Sequence, residues 1–147
     1  AFLQPDTHVI YDARVAYALN WFILSENAGE RFFPIPEGRN SKMNAFDLNV
    51  LIRLKHIEKY RIEQEGSLKG KFISTIDNKL YIPAKEAYSE LNKTISLISN
   101  KLWGGPKMLF YTEMLLFALA DREVFREITD SVGISIKFKT VESELIN

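Results

Sequence analysis

His8-Val9-Ile10-Tyr11-Asp12-Ala13-Arg14-Val15-Ala16-Tyr17-Ala18-Leu19 is the stretch from which the rest of this chain can be read. A short apolar lead-in ends at Asp12, and a strongly amphipathic run begins directly after it. An aspartate at that position acts as an N-cap. Its carboxylate accepts from the unpaired N–H groups of the first turn and sits at the positive end of the helix dipole. The spacing predicts a first helix over Asp12 to Leu24, with Val15, Leu19 and Phe22 forming the core-facing stripe and Ala16 and Ile23 beside it.

Working outward, Ser25 to Lys42 is a long loop rich in breakers (Asn27, Gly29, Pro34, Pro36, Gly38, Asn40), tied down by Phe32, Phe33 and Ile35. A second helix is expected over Ala45 to Ile62, with Val50, Leu51, Leu54 and Ile57 inward and Arg53, Lys55, Lys59 and Arg61 outward. Gly66 and Gly70 follow it, and a short hairpin or extended piece is expected near 71–82. Pro83 opens a third helix ending near Leu102, striped by Ala87, Leu91, Ile95, Ile98 and Leu102. Gly104-Gly105-Pro106 stops it and starts a fourth, Lys107 to Ala120, whose apolar surround marks it as the central helix. Asp121 has the look of an N-cap for a fifth helix to about Ser131, ended by Gly133. Ile134 to Lys139 alternates like a strand or an extended arm, and the last residues fray. The fold class is therefore mainly α: one domain over 1–147 with about five helices.

Composition narrows the function. The chain has 147 residues, 19 basic and 19 acidic, so no whole-molecule field draws it to nucleic acid or to a membrane. It has no cysteine, which excludes disulfides, thiolate nucleophiles and cysteine zinc sites and points to a cytoplasmic setting. No apolar run is long enough to span a bilayer. His8 and His56 share no ligand spacing with a carboxylate cluster, so no metal site is expected. Nor is there a P-loop, a dinucleotide glycine pattern or a nucleophile elbow, and no cofactor is expected.

Three features carry possible chemistry, each beside a plainer role. Arg31 to Arg61 holds seven basic residues (Arg31, Arg39, Lys42, Arg53, Lys55, Lys59, Arg61) against Glu37, Asp47 and Glu58, a local excess of four. Such a run can track phosphates, or it can be a solvated helix face. Arg39, in Pro36-Glu37-Gly38-Arg39-Asn40, can reach a phosphate from an exposed turn, or can simply be solvated there. Glu113 lies in the most apolar helix and, as a structural buried acid, needs a partner such as Arg14, Tyr17, Lys107 or a helix N-terminus. Trp21 and Trp103 are expected in the core.

Tyr11-Asp12-Ala13-Arg14-Val15-Ala16 resembles the segment around the catalytic aspartate of the helix-hairpin-helix DNA glycosylases. More loosely, Phe33 to Asn40 and Glu113 to Ala118 resemble bacterial proteins of 8-oxoguanine-glycosylase-like fold. The resemblance implies that Asp12 assists N-glycosidic cleavage on a base flipped out of duplex DNA. It further implies that Arg14 supports the geometry of Asp12, and that Arg14, Arg39, Lys42, Arg53 and Lys55 hold the nucleic acid. It also implies a lysine nucleophile and a glycine-turn hairpin ahead of the aspartate, yet no lysine precedes Lys42 and no glycine precedes Gly29. On that basis the chain is expected to be the C-terminal part of a longer protein, completed by an upstream segment or a second chain. The other reading is a non-catalytic helical interaction or regulatory domain. The two part at Asp12: a carboxylate open to a polar cleft favours the first, one wholly engaged by first-turn amides the second.

Overall fold

The computed structural model describes residues 7–38, 40–62, 77–105, 108–133 and 135, with side chains excluded for 58–62. The expectations for Gly66 and Gly70, for residues 71–76, for Lys107 and for the tail from Ile134 fall outside what can be described, apart from the placement of Ser135. The protein is mainly helical, as the stripes require. Helix α1 spans Ala13–Glu26, α2 Ser41–Ala45, α3 Leu48–Ile62 and α4 Ala84–Trp103. A last long helix is built from α5 (Leu109–Leu119), a π-helical turn (Ala120–Val124) and α6 (Phe125–Ser131).

The centre of the fold is α1. Val15 to Trp21 is buried without interruption, and α1 packs on α5, the π turn and α3. Ala16 and Ala18 let neighbours approach its axis from several sides, and a helix packed all round needs such small residues. Asn27 ends it in the left-handed conformation that asparagine tolerates, its N–H bonded to Ile23 O. The central place assigned to the fourth helix is thereby corrected. In α5 only Leu109, Thr112 and Leu116 are buried, whereas Phe110, Tyr111, Met114 and Leu115 are exposed.

One buried polar side chain fixes the long loop to this axis. Asn20, fully buried, donates from Nδ2 to Phe33 O and accepts at Oδ1 from Phe33 N, both at 2.8 Å. The next backbone pairs belong to Phe32, whose N–H reaches Leu80 O (2.8 Å) and whose C=O accepts from Ile82 N (2.9 Å). This makes an isolated parallel bridge between Phe32 and Tyr81. The part of the expected hairpin that is described is thus a helical turn at 77–80 and this bridge.

On α3 the expected inward set is met in part: Leu51 and Ile57 pack against the core. Leu48 and Ile52 are fully buried, while Val50 and Leu54 are about half exposed. Asp47 accepts from Asn49 N (2.9 Å) at the start of the helix. On α4, Ala87, Leu91 and Ile95 face the core as expected. Ser99 then takes the next buried position, and Leu102 and Trp103 are exposed. The reason is polar: Ser99 Oγ lies 2.6 Å from Thr112 Oγ1, which also accepts from Trp103 Nε1 at 2.9 Å. Trp21, by contrast, is buried.

Asp121 is not an N-cap. Backbone angles stay helical from Leu119 through Phe125, and the extra residue is absorbed as the π turn. No glycine or proline lies between Leu119 and Phe125 to end the helix.

Replacing Asn20 by alanine strands two buried backbone groups at Phe33. At 1–3 kcal/mol for each unpaired group, an unfolding free energy lower by about 3 kcal/mol is expected in urea denaturation. A loss under about 1 kcal/mol would show that the loop is held elsewhere.

Candidate functional site

Residues 7–12 lead into α1 with no strand beside them among the described residues, and apart from a tight turn in which Asp12 N–H reaches Ile10 O at 3.0 Å, side chains pair with their polar groups. Asn92 of α4 accepts from Val9 N at 3.0 Å, and Tyr88 donates its hydroxyl to Val9 O at 3.0 Å. Glu113 of α5 accepts from Ile10 N at 3.2 Å. Tyr11 donates to Pro34 O at 2.7 Å, which joins the lead-in to the long loop. Its burial pushes the Tyr11 phenol up to about 12, so the hydroxyl stays a donor at neutral pH. Four side chains therefore fix the approach to Asp12.

Asp12 caps α1 with one oxygen, Oδ1 accepting from Arg14 N at 2.8 Å. Among the described residues no donor reaches the other oxygen. The carboxylate lies on a cleft of about 460 Å³ walled by Tyr11, Arg14, Pro36, Glu37, Gly38, Asn40 and Met43. The Pro36-Glu37-Gly38 strap crosses close to the helix start: a Cβ built on Gly38 would lie 3.5 Å from that of Ala13. Beyond the strap a second cavity, about 310 Å³, is lined by Tyr17, Asn44, Asp47 and Asn49. There Tyr17 donates to Phe46 O, and its phenol is raised by burial first and by the Asp47 charge second.

The far wall is organised by Asp121, which sequence reasoning assigned to another task. Asn40 Nδ2 donates to Asp121 Oδ1 at 2.6 Å, Arg14 Nε lies 3.7 Å from the same oxygen, and Lys42 Nζ donates to Asp121 O at 2.9 Å. The Arg14 guanidinium lies 4.4 Å from the centroid of the Phe117 ring, and the Lys42 ammonium 5.7 Å from that of Phe125. Asn40 meanwhile caps α2, its oxygen accepting from Lys42 N and Met43 N. A π turn is a common way to re-aim side chains at a site, and here it faces Asp121 toward the start of α1. Only the contacts between these distant segments mark Asp121 as part of this group.

The other site candidates are placed elsewhere. Arg53, expected outward as a phosphate ligand, is half buried and bidentate to Asp77, with Nε and Nη2 at 2.9 and 2.8 Å from the two carboxylate oxygens. That hydrogen-bonded pairing raises its pKa further, against the effect of burial. Lys55 donates to Leu24 O (2.8 Å) and Asn27 Oδ1 (2.7 Å), closing the C-terminus of α1. Neither cation stands on the cleft. Arg39 lies outside the described residues. His56 Nδ1 is 2.7 Å from Ile52 O, and among the described residues no His, Asp or Glu cluster could hold a metal.

Glu113 is half buried rather than buried, and its partner is the Ile10 backbone, while Arg14 turns to Asp121. Burial raises its carboxyl above the usual range and the nearby Asp12 charge adds to this. The hydrogen bond from Ile10 N–H works the other way. Compared with family models, with curated proteins and with solved structures, the chain matches none.

The raised pKa of Glu113 means that the native state binds this proton more tightly than the unfolded chain. Its favourable contribution is complete below the unfolded value of about 4.3 and is lost as pH rises through the folded one. Glu113→Gln keeps an acceptor for Ile10 N–H and carries no charge at any pH. The variant should match the wild type near pH 4 and melt at or above its temperature near pH 7. Parallel Tm–pH curves for the two proteins would refute this.

Proposed function

We propose that the chain carries the aspartate side of a base-excision site acting on duplex DNA, with Asp12 as the group that assists cleavage of an N-glycosidic bond. The observation that supports this most is the divided use of the Asp12 carboxylate: one oxygen caps α1 and the group borders a polar cleft. In such cleavage the bond from C1′ to the base nitrogen breaks, its electron pair leaves with the base, and positive charge builds on the sugar. An ionised carboxylate fixed at a helix N-terminus stabilises that charge or takes a proton from the attacking water. Arg14, held against Asp121 and the Phe117 ring, supports the geometry of the site. The base must leave the duplex to reach it. Lys42, whose ammonium also holds Asp121 O, and Arg39, close to it in sequence, are the cations that this reading assigns to the DNA backbone.

A second reading, a non-catalytic helical interaction domain, is favoured by one specific observation. Arg53 and Lys55, two of the cations expected to track phosphates, are engaged within the fold.

Asp12→Asn separates the two, because asparagine caps helices about as well as aspartate and removes the charge. Base release should be measured with the native-length protein on duplex oligonucleotides carrying oxidised, alkylated or deaminated bases. The variant is expected to lose roughly 10²- to 10⁴-fold in rate while its unfolding free energy shifts by less than about 1 kcal/mol. A folded wild type that neither binds duplex nor releases any base moves the assignment to the second reading.

A further inference from the structure

Helix α5 has two apolar faces, and the fold uses one. Leu109, Thr112 and Leu116 pack inward. Tyr111, Met114 and Leu115, at i, i+3 and i+4, form a stripe on the opposite side with Phe110 at its margin. Their exposures run from 38 to 57 %. The surface continues onto the end of α4: the Trp103 and Tyr111 rings lie 6.3 Å apart, those of Phe110 and Tyr111 6.0 Å apart, and Leu102, next to Trp103 in sequence, is exposed. Trp103 is held in this position, its Nε1 donating to Thr112 Oγ1 beneath the surface.

We propose that this α4–α5 face is an isologous interface through which two copies of the chain pair. Size supports it. Six side chains of this bulk at those exposures present roughly 700 Å², beyond the largest apolar patch of most monomers and close to the ~800 Å² each partner gives to a stable interface. Composition agrees, since aromatic residues and methionine are enriched at interface centres. Charge allows self-pairing. Glu113 is the single charged residue of α5, and its carboxylate is turned to Ile10 N–H, so α5 places no charge on the stripe itself. The balance of 19 acidic and 19 basic residues adds no long-range repulsion between copies. The pairing rests on neither functional reading.

Sedimentation equilibrium of the native-length protein across the micromolar range is the test, with Tyr111→Glu/Met114→Glu as its partner. The wild type should sediment as a dimer. The double variant should dissociate at least about 100-fold more readily with an unchanged far-UV circular dichroism spectrum. Because the chain has no cysteine, single replacements Tyr111→Cys, Met114→Cys and Leu115→Cys report the face independently: at least one should link two copies under mild oxidation. A monomeric wild type overturns the proposal. In that case reactive thiols would mean a bare face, and protected thiols a face covered by another part of the polypeptide or by a different protein.

Discussion

The rest of the structure leans on the amide of Asn20. It sits in the middle of a helix otherwise packed with apolar side chains, where an unpaired polar group costs several times what a formed hydrogen bond gains. The only arrangement that satisfies it is a backbone N–H and C=O presented together, and Phe33 supplies both. Once Phe33 is fixed, Phe32 beside it must bridge to Tyr81, and Pro34 is brought under the Tyr11 hydroxyl. The strap 36–38 then has little choice but to pass over the first turn of α1. The cleft at Asp12 thus follows from a polar residue two turns further along the same helix.

How much of this could be read beforehand depended on whether the information was local. Val15 and Leu19 of α1 and Ala87, Leu91 and Ile95 of α4 were legible as inward positions because periodicity reports a buried face directly, whereas the burial of Tyr17 and Asn20 and the exposure of Leu102 were not. Asp12 was legible as a cap because capping is a matter of two or three neighbouring residues. The full inward set of α3 was not: Val50 and Leu54 have the same apolar character as Leu48 and Ile52, and the choice between them is made by tertiary packing, which periodicity does not report. Asp121 was misread for a related reason. An aspartate after an apolar run has the local signature of a new N-terminus, and only Asn40, Lys42 and Arg14, some 80 to 107 residues away in sequence, reveal its task. The cleft beside Asp12 depends on residues 34–38 and Asn40 folding back, which no local pattern encodes.

Charge illustrates the same limit. Counting Arg31 to Arg61 gives an excess of four cations, and a helix with that composition reads as a basic face. Counting assumes that the cations point outward. Arg53 instead meets Asp77 in a two-bond fork, and Lys55 reaches past the surface to the last carbonyls of α1, where an ammonium also complements the helix dipole. Both are better explained as ties between segments than as ligands for a polyanion.

In the nucleic-acid reading the contacts centre on the cleft. Arg53 and Lys55 are spent on ties within the fold and the formal net charge is zero, so neither of these two cations adds to non-specific, salt-sensitive phosphate binding. What the cleft can offer is a short constellation: the N-terminus of α1, Arg14 braced on Phe117, and the Asn40–Lys42 turn anchored to Asp121. Such a site acts through orientation rather than through net field. The same logic explains the care with which residues 7–12 are pinned by Asn92, Tyr88, Glu113 and Tyr11. A carboxylate that serves both as a helix cap and as a charged group on a cleft can do both only if the backbone ahead of it does not move, since a shift of one ångström would pull it off the cap or out of the cleft.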